Sequence, residues 1–406
     1  MKILLVNCVY AFGSTGKIMA DLRKGLIDKG DEVRVCYARG ATASNVDGLF
    51  KLADDWVIKM QSLACKVTGY TYECAPASTN RLKKIVNSWN PDIVNIHCVN
   101  ASSINIPELI TYLKVREIKT VVTHHAEFLF TGGCGHSLNC VKWKTGCDAC
   151  PQFKKPGSQL PTSYFFDRSK HYWDAMFAAY QGFTNLKSTC VSPWLAARVA
   201  ESPFFKNVEV SAVYNGLDCK VFHPYNTKRL ITAHQLSSEN KVVLHVTPNF
   251  YSSIKGGKYV LEIAKRLKKE HPLWRLIIVG YNGDGSDFPD NVIPVRFTKN
   301  QEELAEYYSL ANVTLLTSEK ETFSMVCAES LCCGTPVVGF KAGGPESISM
   351  KEHSRFVDFG NMNDLYEELV RMINQKKQYP IDINQAVLIY SKESMANNYY
   401  NLYHSF

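Results

Sequence analysis

The chain has 406 residues, 46% of them hydrophobic and 21% charged, with a formal net charge of +8. That length exceeds one ordinary core and predicts two domains of roughly 150–200 residues, while the composition excludes a disordered chain. No apolar run approaches the ~18 residues that a membrane span requires, and the opening MKILLV, interrupted by Asn7 and followed by Gly13-Ser-Thr-Gly16, reads as a buried strand in place of a secretory signal.

Short β-rich runs alternate with amphipathic stretches from the start. KILLVNCVY predicts a strand, Gly13 to Lys17 a turn, and Ile18 to Lys29 a helix stopped by Gly30. EVRVCYA, PDIVNIHCV and KTVVTHH follow as strands, with a helix over Ile106 to Val115 before the last of them. Between Gly132 and Arg168 the pattern fails, and Gly, Pro, Cys and Lys mark an insertion over 132–168. The alternation then restarts. KVVLHVTP, RLIIVG, VTLLTS and TPVVGF predict strands, separated by helices over Gly257 to Lys269, Gln301 to Ala311 and Ser324 to Cys333. From Ile383 onward the chain reads as helical and aromatic, with Tyr399, Tyr400 and Tyr403. Repeated β-α alternation implies parallel sheets covered by helices on both faces, an α/β protein of two Rossmann-like domains. The boundary is placed near Asp218 to Pro224, giving domains 1–218 and 219–385. The C-terminal helix 386–406 is expected to pack back on the first.

Charge divides unevenly. Residues 1–218 hold 25 Lys and Arg against 18 Asp and Glu, and the remainder 21 against 20. The basic first half suits an anionic partner, whether a membrane surface, a phosphorylated acceptor or nucleic acid, or is an ordinary solvated face. Among the 14 cysteines, Cys8, Cys36, Cys98, Cys190 and Cys327 lie in apolar contexts as small core residues. Without a secretory signal the expectation is a cytoplasmic, disulfide-free chain. Cys134, Cys140, Cys147 and Cys150 lie within 17 residues, with C-x2-C closing the set and His136 nearby. Four thiolates are the number that tetrahedral zinc takes, so a structural zinc is expected to order the insertion, against the alternatives of two disulfides or free thiols.

Three groups of residues point to chemistry. Glu321 and Glu329 stand eight residues apart across a strand-to-helix transition. A little over two helical turns would put both carboxylates on one side, and in a doubly wound sheet that transition opens on the ligand crevice. The exposed amides of Thr322 to Met325 would there bind a diphosphate or sugar hydroxyls, with Glu329 suited to ribose hydroxyls. The other reading is a pair of solvated helix charges. Second, Gly13-Ser14-Thr15-Gly16-Lys17 is not a Walker motif, because Ala11 and Ile18 replace its Gly and Ser/Thr. As a glycine-rich turn opening a helix it would still bring backbone N–H groups to a phosphate or the acceptor. Third, His124 and His125 end a strand, where side chains alternate between faces, and His97 ends another.

These motifs resemble, in order, those of the retaining GT-B glycosyltransferases of glycosyltransferase family 4. E-T-F-S-M-V-C-A-E (321–329) followed by G-T-P-V-V (334–338) is similar to the family's E-x7-E signature and its next strand. Ala342-Gly-Gly-Pro-Glu346 resembles its G-G-x-x-E loop, Val213 to Pro224 its N-G-x-D…F-x-P segment, and Cys190-Val-Ser-Pro-Trp194 its S-x-W element. V-V-T-H-H-A-E-F-L-F-T-G-G-C with K-W-K-T-G-C-D-A-C-P-Q resembles bacterial polysaccharide enzymes of the colanic-acid type. The resemblance implies two Rossmann-like domains facing each other across an interdomain cleft, and transfer of a sugar from a UDP- or GDP-sugar with retention. The acceptor it implies is a glycan or an undecaprenyl-diphosphate-linked chain in bacterial surface polysaccharide synthesis, at the inner face of the plasma membrane. No catalytic metal and no nucleic-acid partner are expected. It implies catalytic roles for His125 and Glu321, and donor contacts from Gly13, Ser14, Gly16, Lys255, Thr322, Phe323, Ser324 and Glu329. The sequence departs from the pattern in four places. Thr322 and Ser324 replace the glycines usual around the signature Phe. No Arg precedes Lys255, where Asn249 and Ile254 stand and Lys258 is the nearest substitute. Ala126 replaces the aspartate that often follows the first-domain histidine. A nucleotide-sugar epimerase, a sugar phosphorylase and a non-catalytic nucleic-acid- or lipid-binding module are the rival readings.

Overall fold

A computed structural model describes residues 1–40, 47–100, 102–283, 285–286, 288–375 and 380–406. The chain forms two compact units, Met1–Gly216 with Met395–Phe406, and Leu217–Ser394.

In the first unit seven strands lie in one sheet: β1 (Lys2–Val9), β2 (Glu32–Arg39), β3 (Leu49–Lys51), β4 (Ile93–Ile96), β5 (Lys119–His124), β6 (Leu186–Cys190) and β7 (Glu209–Ala212). Their order is β3-β2-β1-β4-β5-β6-β7, and every neighbouring pair is parallel. Ile3 to Val6 of β1 are wholly buried, as continuous apolar runs must be when helices cover both faces of a sheet. The helix Gly13–Ile27 turns Ile18, Met19, Leu22 and Leu26 inward. They join a core with Ile3, Leu5, Val33 and Val35.

The second unit repeats the scheme with β8 (Val242–Val246), β9 (Arg275–Val279), β10 (Val292–Val295), β11 (Val313–Leu316), β12 (Val337–Phe340) and β13 (Ser354–Val357). The order is β10-β9-β8-β11-β12-β13, again all parallel. In each sheet the strand order reverses once, between β1 and β4 and between β8 and β11. Ligands of open α/β sheets bind beyond the carboxyl ends of the strands at such points.

The two units meet in the chain between Gly216 and Leu217, two residues before the expected boundary. The C-terminal stretch is two helices, Ile383–Tyr390 and Lys392–His404, where one helix over 386–406 was expected. Ser391 interrupts them because its neighbours pair with Leu217: Leu217 N–H donates to Tyr390 O at 2.8 Å, and Lys392 N–H to Leu217 O at 2.9 Å. Residues from Met395 onward belong to the first unit, where Tyr399 and Tyr403 enter its core. Residues 386–394 stay with the second unit. Among the described residues no helix is long and apolar enough to cross a membrane.

Candidate active site

At the switch point of the second sheet, loops after β8 and β11 are locked together. Gly256 has φ +70°, and a Cβ there would lie 2.1 Å from the Thr317 carbonyl oxygen, so only glycine allows this approach. Glu319 N–H donates to Ile254 O at 2.8 Å, and Thr317 Oγ1 donates to Lys255 O at 3.0 Å. The result is a close ion pair between residues 66 apart in sequence: Lys255 Nζ stands 2.6 Å from Glu321 Oε1, both partly open to solvent.

Glu321 is held from its other side by the loop after β12. Its N–H donates to Ala342 O at 3.1 Å, and its carbonyl accepts Gly344 N–H at 2.8 Å. Gly344 is packed so tightly that a Cβ would come within 2.6 Å of Phe323 N. Glu346 fixes the loop by accepting the N–H groups of Gly343 (2.7 Å) and Ala342 (3.0 Å). The sequence-level motif around Glu346 is therefore a brace for Glu321.

The helix that follows starts only at Met325. Glu321 precedes it, so helical spacing does not relate the two carboxylates as expected. Phe323 is buried, and Ser324 caps the helix with Oγ accepting Cys327 N–H at 3.3 Å. Thr322 is half-buried beside Glu321. Glu329 is buried on the second turn, where its Oε2 accepts the Tyr308 hydroxyl at 2.8 Å. Burial and the adjacent Glu329 carboxylate push the Tyr308 phenol well above its ordinary range. Nothing in the sequence pattern singles out Tyr308. Lys258 lies with its ammonium 4.7 Å over the Tyr259 ring.

The first sheet's switch point carries the glycine-rich turn. Ala11 takes φ 55°, Gly13 φ 63°, and Ala11 N–H donates to Gly16 O at 2.8 Å. A Cβ on Gly16 would sit 3.2–3.3 Å from Val9, Tyr10 and Ala11, so the turn folds directly against the helix start. Ser14 is exposed on that first turn. At the ends of β4 and β5, His97 Nδ1 and His125 Nε2 stand 3.1 Å apart. Burial pushes His125 down to about 4. Burial and the neighbouring His125 push His97 well below its ordinary value. Both rings are neutral near pH 7, one donating and the other accepting. His124 faces the other way, packed edge-on against Phe130 and Phe205 with both ring nitrogens unpaired. Burial lowers it to about 3.

The cysteine insertion is built differently from the expectation. Cys134, Cys140, Cys147 and Cys150 line one cavity of about 20 Å³, space for roughly one water. Two of the sulfurs have hydrogen-bond partners of their own: Cys134 with Thr131 Oγ1 at 3.5 Å and Cys147 with Gly132 N–H at 3.2 Å. Among the described residues no three His, Cys, Asp or Glu side chains gather as a metal site. The expected structural zinc thus finds no support in the arrangement of these side chains, and the insertion carries a brace that needs no metal. Buried Glu127 accepts Arg198 Nε at 2.6 Å and Ser137 N–H. The Arg198 guanidinium lies 4.8 Å over Trp143 and 5.0 Å over Trp194, and Trp143 is itself fully buried.

Comparisons with known proteins cover both units. The family described as Glycosyltransferase Family 4 matches residues 15–221, a span containing Gly16 and His125. The family described as Glycosyl transferases group 1 matches residues 240–375, containing Lys255, Glu321 and Glu329. N-acetyl-alpha-D-glucosaminyl L-malate synthase of Bacillus anthracis is 24% identical over 184 residues, covering 42% of this chain and 46% of that protein. The chain thus matches less than half the length of its first curated relatives. Sucrose-phosphate synthase of Thermosynechococcus elongatus superposes with TM-score 0.69 at 17% identity, over 99% of this chain and 98% of that one. The Anabaena protein HepE in complex with UDP superposes with TM-score 0.65 at 16% identity, over the full length of both chains. The fold is GT-B.

Proposed function

The chain belongs to glycosyltransferase family 4, and from that premise we propose that it transfers a sugar from a nucleoside-diphosphate sugar to an acceptor hydroxyl with retention at the anomeric carbon. The observation that carries this is the Lys255–Glu321 pair, 2.6 Å apart at the second sheet's switch point. Such a pair is complementary to a donor. The ammonium turns to the diphosphate, and the released carboxylate accepts hydroxyls of the donor sugar. Lys255 and the first-turn amides of the helix Met325–Cys332 would stabilise charge building on the leaving diphosphate. Glu329, oriented by Tyr308, would hold the ribose hydroxyls. In the step itself the acceptor oxygen bonds to the anomeric carbon as the carbon–diphosphate bond breaks. The acceptor proton passes to the departing phosphate oxygen on the same face.

Uridine is the favoured base, because a structural neighbour is in complex with UDP; GDP-sugars are the second choice. The acceptor is assigned to the first unit, beside the neutral His97–His125 pair and the Gly13–Gly16 turn. A glycan or undecaprenyl-diphosphate-linked chain of a bacterial surface polysaccharide, met at the cytoplasmic face of the membrane, fits that unit's positive charge. An epimerase would invert a sugar centre without any acceptor.

Calorimetric titration with UDP-, GDP-, ADP- and dTDP-sugars, followed by product analysis, tests the reading. Lys255→Ala and Glu321→Ala are expected to keep the fold and lose at least about 100-fold in turnover. Full activity in both would remove the assigned site, and an isomerised donor with no transfer would favour the epimerase.

A further inference from the structure

The first unit carries an apolar face that the transfer reaction does not use. The helix Asp55–Thr68 buries Ile58, Gln61 and Cys65 on one side. On the opposite side Trp56, Met60, Leu63 and Val67 are exposed by 67, 59, 47 and 41%. At 100° per residue these four fall within about 60° of one another, so they form one stripe, a feature that soluble surfaces seldom leave uncovered.

Three consecutive aromatic residues extend the stripe. Tyr164 N–H donates to the Lys66 carbonyl at 2.7 Å. The Phe166 carbonyl oxygen lies 2.9 Å from where a Cβ on Gly69 would stand. Tyr164, Phe165 and Phe166 are thereby fixed beside the end of the helix, and all three are exposed. The Arg168 guanidinium lies 5.2 Å over the Phe166 ring. Along one flank of the helix, Arg39, Lys59 and Lys66 line a groove of about 510 Å³. The acids nearby are at the helix start: Asp54 is exposed, and Asp55, which also lines the groove, is paired with Lys51 at 2.9 Å.

We propose that this face docks on an anionic lipid bilayer. The stripe and the three rings would enter the boundary between headgroups and acyl chains, while the basic groove meets lipid phosphates. A helix with aliphatic and aromatic side chains on one face and cations at its flank is built for that boundary. Its 14 residues are too few to span a bilayer. Lysine stems can lie along the apolar stripe while their ammonium groups stay in water. The helix also begins just after β3, at the same carboxyl edge of the parallel sheet as the Gly13–Gly16 turn. A lipid-borne acceptor would be presented at that edge. The surface itself is independent of the donor-site reading and would stand if that reading failed.

Flotation of the full chain with vesicles tests it, using phosphatidylcholine alone and phosphatidylcholine with about 30% phosphatidylglycerol. Wild type is expected to float with the anionic vesicles and at least about tenfold less with the neutral ones. Trp56→Ser with Met60→Ser, Phe165→Ser with Phe166→Ser, and Lys59→Glu should each weaken anionic binding several-fold. All five positions are exposed, so an unchanged circular dichroism spectrum and melting midpoint separate lost docking from lost folding. Absence of wild-type flotation, or equal flotation of wild type and folded variants, overturns the proposal. A concentration-dependent dimer that the same substitutions dissolve would also overturn it, assigning the face to a second copy.

Discussion

Ser324 takes φ 85° and ψ 91°, a backbone region open to glycine and strained for any residue with a Cβ. The family resemblance implies that glycine is usual at this position, and the backbone here has a glycine's shape with a serine in place. Serine recovers part of the cost by capping Cys327 N–H at 3.3 Å, a bond worth about 1 kcal/mol. Such strain persists where the surroundings over-determine it, and the Gly344 contact against Phe323 does so. Ser324→Gly should relieve the strain, lose a few tenths of a kcal/mol in capping and gain chain entropy in the unfolded state. The net change is expected within about 1 kcal/mol of wild type. Ser324→Val loses the cap and sets a β-branched residue at positive φ, for a cost of about 2–4 kcal/mol. Urea midpoints decide it, and a valine variant as stable as the glycine variant would show that the backbone is not held as described. The same Ser324 variants compared in turnover of different donor sugars would tell whether Ser324 sets which sugar is accepted.

At the scale of elements, the 132–168 insertion hangs on Arg198. That side chain reaches from the helix Pro193–Ala200 to the buried Glu127 carboxylate, to Ser137 Oγ at 2.6 Å, and to the faces of Trp143 and Trp194. Removing it leaves a carboxylate buried without its cation, which costs about 3–5 kcal/mol. Arg198→Ala should therefore loosen the insertion, seen as faster proteolytic cutting within 132–168 and a lower melting midpoint. Cys150→Ser should do neither if Arg198 is the main brace; the reverse ranking would assign that role to the thiols. The insertion also shows where the sequence stops being legible. Four cysteines within 17 residues give a count of sulfurs, but spacing in a loop does not say which way each one points. The strands divide on similar grounds. Those buried on both faces, such as β1, β4, β5, β8 and β11, announce themselves as apolar runs. Of the strands with no such run, β3, β7, β10 and β13 are the edges of the two sheets and only half-buried, and β6 carries the polar LKSTC. Within the site, Glu321 and Lys255 were visible through the family motif. Their pairing across 66 residues, the bracing by Glu346 and the hydroxyl of Tyr308 on Glu329 follow only from the packed loops.

On the scale of the whole molecule, the two units differ in how they meet acid. The first holds His97 and His124 fully buried and His125 partly buried, all held below the ordinary histidine value by desolvation, His124 at about 3 and His125 at about 4. In the second unit His245 is held at about 4 by burial, and the half-buried His234 is lowered less. A base whose folded pKa is depressed binds more protons when unfolded, so its stabilising contribution is complete above about pH 6.5. It is lost as pH falls from there toward the folded value. For His124 the loss at pH 5 is about 2 kcal/mol relative to pH 8. His97 and His125 add to it as a contacting pair, so the first unit should lose more than the second does. Five of the six tryptophans, Trp56, Trp89, Trp143, Trp173 and Trp194, lie in the first unit and only Trp274 in the second. Tryptophan fluorescence therefore follows the first unit, while far-ultraviolet dichroism follows both. At pH 8 the two signals should melt close together; at pH 5 fluorescence should melt first. His124→Phe keeps an aromatic ring between Phe130 and Phe205 while removing two unpaired buried nitrogens. It should narrow the gap at pH 5 and change little at pH 8. A gap of equal size at both pH values, or one untouched by His124→Phe, would mean that these buried rings do not govern the acid limit of the first unit.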